Sequence, residues 1–225
     1  MFVIGVITVI AAVVVGIKQY RQSERTSKQT LIKESHNYLS FYKVKISASK
    51  KGSIPEGEIK LNYQGEISDD AESAVYKIGF YFHGEAHTDA PMQEVLLKKF
   101  EFSFNTGDEG KKIKQEFVAE LADGVSLKPE KKEDYCFPLT CYISDYYDND
   151  DALKALNSTT ATGRFSSDLK IEAEIAYINV LNVETLISHS MRLKKIEGER
   201  GLFEIHDGLK FESVGIKEKD DDKKS

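Results

Sequence analysis

Residues 168–180 read DLKIEAEIAYINV, and Leu169, Ile171, Ala173, Ile175 and Tyr177 alternate there with Lys170, Glu172 and Glu174. A period of two puts an apolar row and a wet row on opposite faces of an extended chain, so the stretch reads as a long strand with one buried face. The same period recurs. In AVYKIGFYF, Ala74, Tyr76, Ile78, Phe80 and Phe82 share a side; EIKLNY gives Ile59, Leu61 and Tyr63; KIKQEFVAEL gives Ile113, Phe117, Ala119 and Leu121. In EVLLKKFEFSFN the parity slips between Leu97 and Phe100, the mark of a β-bulge or bend.

Turn chemistry separates these runs. NTGDEGKK joins Phe104 to Ile113 with two glycines, and FEIHDGLKF places Asp207-Gly208 between two short alternating segments, which predicts a hairpin. About eight to ten strands follow from this spacing, with at most short helices, such as one from Asp150 or Asp151 through ALKAL. Strands without long intervening helices predict a mainly β fold, an antiparallel β-sandwich or barrel-like domain.

The N-terminus is of another kind. From Phe2 to Ile17 there is no charge, and eleven of the sixteen residues are Val, Ile or Phe. A helix of that length covers roughly 24 Å, a little less than a hydrocarbon core, and Lys18, Tyr20 and Arg21 can reach the interface. A cleaved signal peptide wants positive charge before its apolar run; here it lies just after. Lys18, Arg21, Arg25, Lys28 and Lys33 outnumber Glu24 and Glu34, so the stretch from Lys18 to Ser35 carries +3 of a total of -6 and the rest carries -9. The positive-inside rule then puts the N-terminus outside and the bulk of the chain in the cytoplasm. The expected organisation is a transmembrane anchor over 1–17, a basic helical stem over 18–42, a β-rich domain over 43–215 and a disordered charged tail over 216–225. Within the stem, Leu31, Ser35, Tyr38, Leu39 and Tyr42 recur at helical spacing, as if its last turns docked on the domain. The acidic balance argues against a nucleic-acid partner.

An apolar helix that starts the chain and runs into a basic stem resembles the anchors of bacterial cytoplasmic scaffold proteins, over the first two dozen residues. With a β domain beyond, it also looks like a type IV pilin or pseudopilin, which implies an extracytoplasmic assembly subunit. The departures from that family are the absence of a basic leader ending in Gly before Phe2, Gly5 or Val6 where the mature chain carries Glu, and Gln22 in place of a proline.

Chemistry-bearing residues are few. His83, Glu85, His87 and Asp89 share one face of an extended strand, but alternate residues lie nearly 7 Å apart, so His83 and His87 could share a metal ion only if the chain turned. Asp145, Asp148, Asp150 and Asp151 offer oxygen ligands without the EF-hand pattern, and a helix N-terminus accounts for the last two. Cys136 and Cys141 could form a disulfide, were the domain extracytoplasmic, if Phe137 to Thr140 folded back. Asn157-Ser158-Thr159 matches a glycosylation acceptor. Tyr135, Phe137, Tyr142, Tyr146 and Tyr147 could supply an aromatic contact face, although core and turn positions are the expected place for most of them. No nucleotide-binding or hydrolase motif is present, and no cofactor is expected. The expected function is binding: a single-pass membrane scaffold or accessory subunit whose partners are the lipid bilayer, through residues 2–17, and an unidentified protein. A metal-dependent enzyme is the remaining alternative.

Overall fold

The structure, a computed structural model, describes residues 15–27, 29–30, 37–64, 75–89, 91–106, 113–129, 135–144 and 169–216. Nine strands lie among them: β1 (Leu39–Lys51), β2 (Ile59–Tyr63), β3 (Val75–Ala86), β4 (Met92–Thr106), β5 (Ile113–Ser126), β6 (Tyr135–Ser144), β7 (Lys170–Asn179), β8 (Val183–Lys195) and β9 (Leu202–Ile216). They close into a barrel in the order β1-β3-β6-β2-β5-β4-β7-β8-β9, with β9 returning to β1. The mainly β expectation holds, in its barrel form. All pairings are antiparallel except β2 with β6, where Ile59 faces Cys141 and Leu61 faces Ile143 in parallel.

The alternating rows point where their period requires. Tyr76, Ile78, Phe80 and Phe82 of β3 are buried, as are Leu169, just before β7, and Ile171, Ala173, Ile175 and Tyr177 along it. Lys170 and Glu172 pair with each other on the outer face. The parity slip in β4 is a bulge: Leu97 faces Ile175 and Lys99 faces Glu174, so Lys98 is an extra residue against β7. That extra residue is what lets both Leu97 and Phe100 point inward. Opposite it on β5, Leu97 pairs with Val125 and Lys99 with Glu120, and Gly124 takes the positive φ of 75° the detour needs. A second slip, at Tyr42 of β1, moves the inward set from Leu39 and Phe41 to Val44 and Ile46 and leaves Tyr42 outside.

The interior is filled by rings. Tyr63 meets Phe117, Phe117 stacks on Phe104, and Phe104 meets Phe102. Phe80 sits against Phe100 and Phe102 at centroid distances of 5.0 and 5.3 Å, and Phe82 leads on to Phe41 and then to the His189 ring. Edge and tilted contacts of this kind add to the burial of each ring, about 1.5–3 kcal/mol apiece.

Two expectations are corrected. Tyr38, Leu39 and Tyr42 are not the docked end of a helical stem: β1 opens at Leu39, because the helical spacing of these residues is also a strand row offset by the Tyr42 bulge. Asp207-Gly208 is not a hairpin turn. It lies inside β9, opposite Met191 and Ser190, and the β8–β9 connection is made by residues 196–201, with Gly198 and Gly201 at positive φ. Of the aromatic-rich region, Phe137 and Tyr142 are buried, as core positions require. Most of the expected anchor, residues 1–14, lies outside the described residues. Residues 15–27 and 29–30 are helical and continue the apolar run into the basic stretch, yet among the described residues no helix is long and apolar enough to cross a membrane. The aspartates from Asp145 to Asp151, the ALKAL helix, the Asn157 tripeptide, Tyr146, Tyr147 and the tail after Ile216 also lie outside the described residues.

Candidate functional site

The residues singled out for chemistry are not brought together. His83 and Glu85 stand at the end of β3, where His83 faces Cys136 across the strand pair and lies beside Tyr42. His87 leaves the row to stack on Tyr38 at 4.4 Å, and Asp89 is exposed beyond it. Among the described residues no group of three or more His, Cys, Asp or Glu side chains is placed to hold a metal ion. Cys136 and Cys141 are not disulfide-bonded and lie on one extended strand, β6, with Pro138 and Thr140 in its pairing to β3, so the fold-back that a disulfide needs does not form. Cys141 is fully buried and burial pushes its thiol far up, with the Glu58 carboxylate adding to the effect.

The polar cluster with the most connected geometry is one that sequence reasoning passed over. Tyr177 of β7, His189 of β8 and Asp207 of β9 all point inward. Tyr177 Oη lies 2.8 Å from His189 Nε2, and His189 Nδ1 lies 2.8 Å from Asp207 Oδ2. Asp207 Oδ2 also accepts the Phe41 N–H at 3.3 Å, and the Leu39 amide donates to the Tyr177 oxygen. The partners assign the protons. The carboxylate only accepts, so His189 Nδ1 carries a hydrogen, and when the imidazole is neutral its Nε2 accepts from the Tyr177 hydroxyl, whose oxygen already takes the Leu39 N–H. Burial, reinforced by the Asp207 carboxylate, raises the Tyr177 hydroxyl well above the ordinary phenol range, against a smaller lowering from the Leu39 amide. Tyr177 is therefore held as a phenol.

The His189 side chain is fully enclosed and that of Asp207 is 5% exposed. The arrangement has the connectivity of an acid–base relay, but its outer end, the phenol, is sealed. What it does is close the wall. Backbone pairing between β1 and β9 covers only Lys43–Lys45 with Leu202–Glu204, continued at the lower end by the Ile46 amide on the Gly201 carbonyl at 2.7 Å. Above Lys43, side chains replace the ladder, and two β1 amides end on Tyr177 and Asp207 instead of on β9 carbonyls.

The signal for His189 was present in the sequence. Val183, Thr185, Ile187, His189, Met191 and Leu193 are one alternating row, all buried, and a histidine in such a row must find partners for two ring nitrogens. Asp207 carried a misleading signal, since Asp-Gly is the strongest short hairpin dipeptide.

A second region lies at the rim where β1 begins. Asn37 is buried and joins the start of β1 to Thr88: its side-chain oxygen accepts the Tyr38 and Thr88 amides and its nitrogen donates to the Thr88 carbonyl. A few residues on, Met92 pairs with Asn179. The Asn179 side chain accepts the Leu181 and Val183 amides, which fixes the β7–β8 turn and holds Val180 and Leu181 out in solvent, 58% and 50% exposed. Beside Met92 a cleft of about 370 Å³ is lined by Met92, Glu94, Val95, Leu127, Lys128 and Phe137 among others. The barrel and these two regions define the chain as a filled, closed β-barrel with a structured rim. Comparison with protein-family models, with curated proteins and with solved structures gives no match.

Proposed function

We propose that the chain is a single-pass, membrane-anchored β-barrel binding module, a scaffold or accessory subunit of a membrane-associated complex, with residues 2–17 in the bilayer and the barrel on the cytoplasmic side. One observation supports the binding half of this reading above the rest. The rim through which the chain arrives from its N-terminal helix also carries the rigid Val180–Leu181 turn and the neighbouring cleft, an apolar projection beside a recess with one carboxylate and one ammonium. Rigid apolar anchors next to a pocket are what a protein partner uses, and tethering raises its effective concentration there. The anchor half is supported by the uncharged run to Ile17 and by Lys18, Arg21 and Arg25 on the helix that follows.

Cys141 is sealed, so native thiols are poor topology probes. Val180→Cys in a Cys136→Ser background supplies an exposed one. Labelling with an impermeant maleimide only after permeabilisation is expected, together with retention of the chain in alkali-washed membranes. Labelling of intact cells would place the barrel outside; release by alkali would remove the anchor.

A further inference from the structure

The seam between β1 and β9 has two unlike halves. Below Lys43 it is a backbone ladder ending on the Ile46–Gly201 hydrogen bond, with no titratable side chain in its hydrogen bonds. Above Lys43 it is held through Leu39 N–H, Tyr177, His189, Asp207 and Phe41 N–H. That upper half works in one protonation state. A proton on His189 turns Nε2 from acceptor to donor, so Tyr177 Oη would face two N–H groups and its own hydrogen would lose its acceptor. A proton on Asp207 would take away the charge that Phe41 N–H and His189 Nδ1–H both bind. The carboxylate is already poorly compensated, because Asp207 Oδ1 is buried without a hydrogen-bond partner.

The groups facing the pair come from every neighbouring wall. They are the Tyr177 hydroxyl from β7, the Met191 side chain opposite Asp207 on β8, and the Leu39 and Phe41 amides with the Phe41 ring from β1. Beyond that ring lies Phe82 of β3. None of these supplies a cation to hold the carboxylate, or a second carboxylate to hold an imidazolium, apart from the pair itself.

The geometry points to a proton-sensitive latch: Tyr177, His189 and Asp207 hold β1 to β9 above Lys43, and proton uptake by the His189–Asp207 pair opens that upper seam while the rest of the barrel stays closed. β1 remains zipped to β3, from Leu39 against Ala86 to Lys51 against Val75. What opens is a slot at the rim beside Asn37, the place where the chain from the N-terminal helix joins the barrel. The latch so defined does not depend on what the rim binds.

The test is amide hydrogen exchange on the full chain in detergent micelles. It runs from about pH 8 to about pH 5, the range over which an imidazole group ordinarily takes up a proton. After correction for intrinsic rates, protection of the Leu39 and Phe41 amides should fall by up to about tenfold per pH unit while the Ile46 amide keeps its protection. In His189→Gln the fall should vanish. Leu39 and Phe41 protection that is flat with pH in the wild type overturns the latch, and so does loss of Leu39, Phe41 and Ile46 protection together, which would be ordinary unfolding. Should His189→Gln fail to fold, the wild type alone decides. Nitrogen-15 shifts of the His189 ring and the carbon-13 shift of the Asp207 carboxyl must move with the Phe41 deprotection, and constancy of both overturns it.

Discussion

At Asp207 one side chain changed the reading of a whole segment. In the sequence it is the first half of a turn dipeptide; in the fold it is an interior carboxylate that accepts a backbone amide and an imidazole. Glu101 of β4 is a second carboxyl whose surroundings matter, this time on the outer face. Burial, and then the Glu116 and Glu172 carboxylates, raise its pKa, against smaller effects of Lys114 and Lys99. A carboxyl raised in the folded state binds more protons there than in the unfolded chain. Its ionisation therefore takes stability away as pH rises from the unfolded value through the folded one. Glu101→Gln is expected to raise the denaturation midpoint at neutral pH, and the gain should shrink as the pH falls through the carboxylate range; an equal gain at all pH values would contradict this. The alternation of β4 showed Glu101 on the wet face. Its acidic neighbours come from β5 and β7, and only the strand pairing brings them together.

Among the elements, β7 and β3 were legible because each carries a long uninterrupted row, and in β4 even the Lys98 bulge was written in the order of its apolar residues. The start of β1 was not. A bulge at Tyr42 breaks its period, and i, i+4, i+7 spacing over a few residues fits a helix as well as two offset strand rows. The turn at 196–201 was hidden for another reason, since its glycines are spaced among charged residues and the Asp-Gly signal lay nearby. Gly201 has φ of 68°, and a side chain there would run into the Ile46 carbonyl oxygen. Gly201→Ala should therefore cost roughly 1–3 kcal/mol from backbone strain, with displacement of Ile46 in addition. Chemical denaturation measures the cost, and exchange at the Ile46 amide shows whether the lower seam is where it falls. The same substitution at Gly198, which has open space around its Cβ position, should cost less.

For the molecule as a whole, closure replaces the edges that a sandwich would have to protect, and a ladder of aromatic rings fills the enclosed space. Phe80 stands near the middle of that ladder, fully buried and touching Phe82, Phe100 and Phe102. Phe80→Ala should lower stability by about 3–5 kcal/mol, with the loss read as a shift of the denaturant midpoint at unchanged slope. The order of strands around the wall lay beyond the sequence. Period and turns identify strands, whereas nothing local says that β2 slots between β5 and β6 or that β9 returns to β1. That return also governs how the molecule is made. Of the nine strands β1 leaves the ribosome first and β9 last, so the inward row of Leu39, Phe41, Val44 and Ile46 has one flanking strand, β3, until synthesis has passed Ile216. Throughout that interval the nascent chain is an open, greasy ribbon, and a chaperone that shields such edges should be found on translating ribosomes carrying it and be released when β9 emerges.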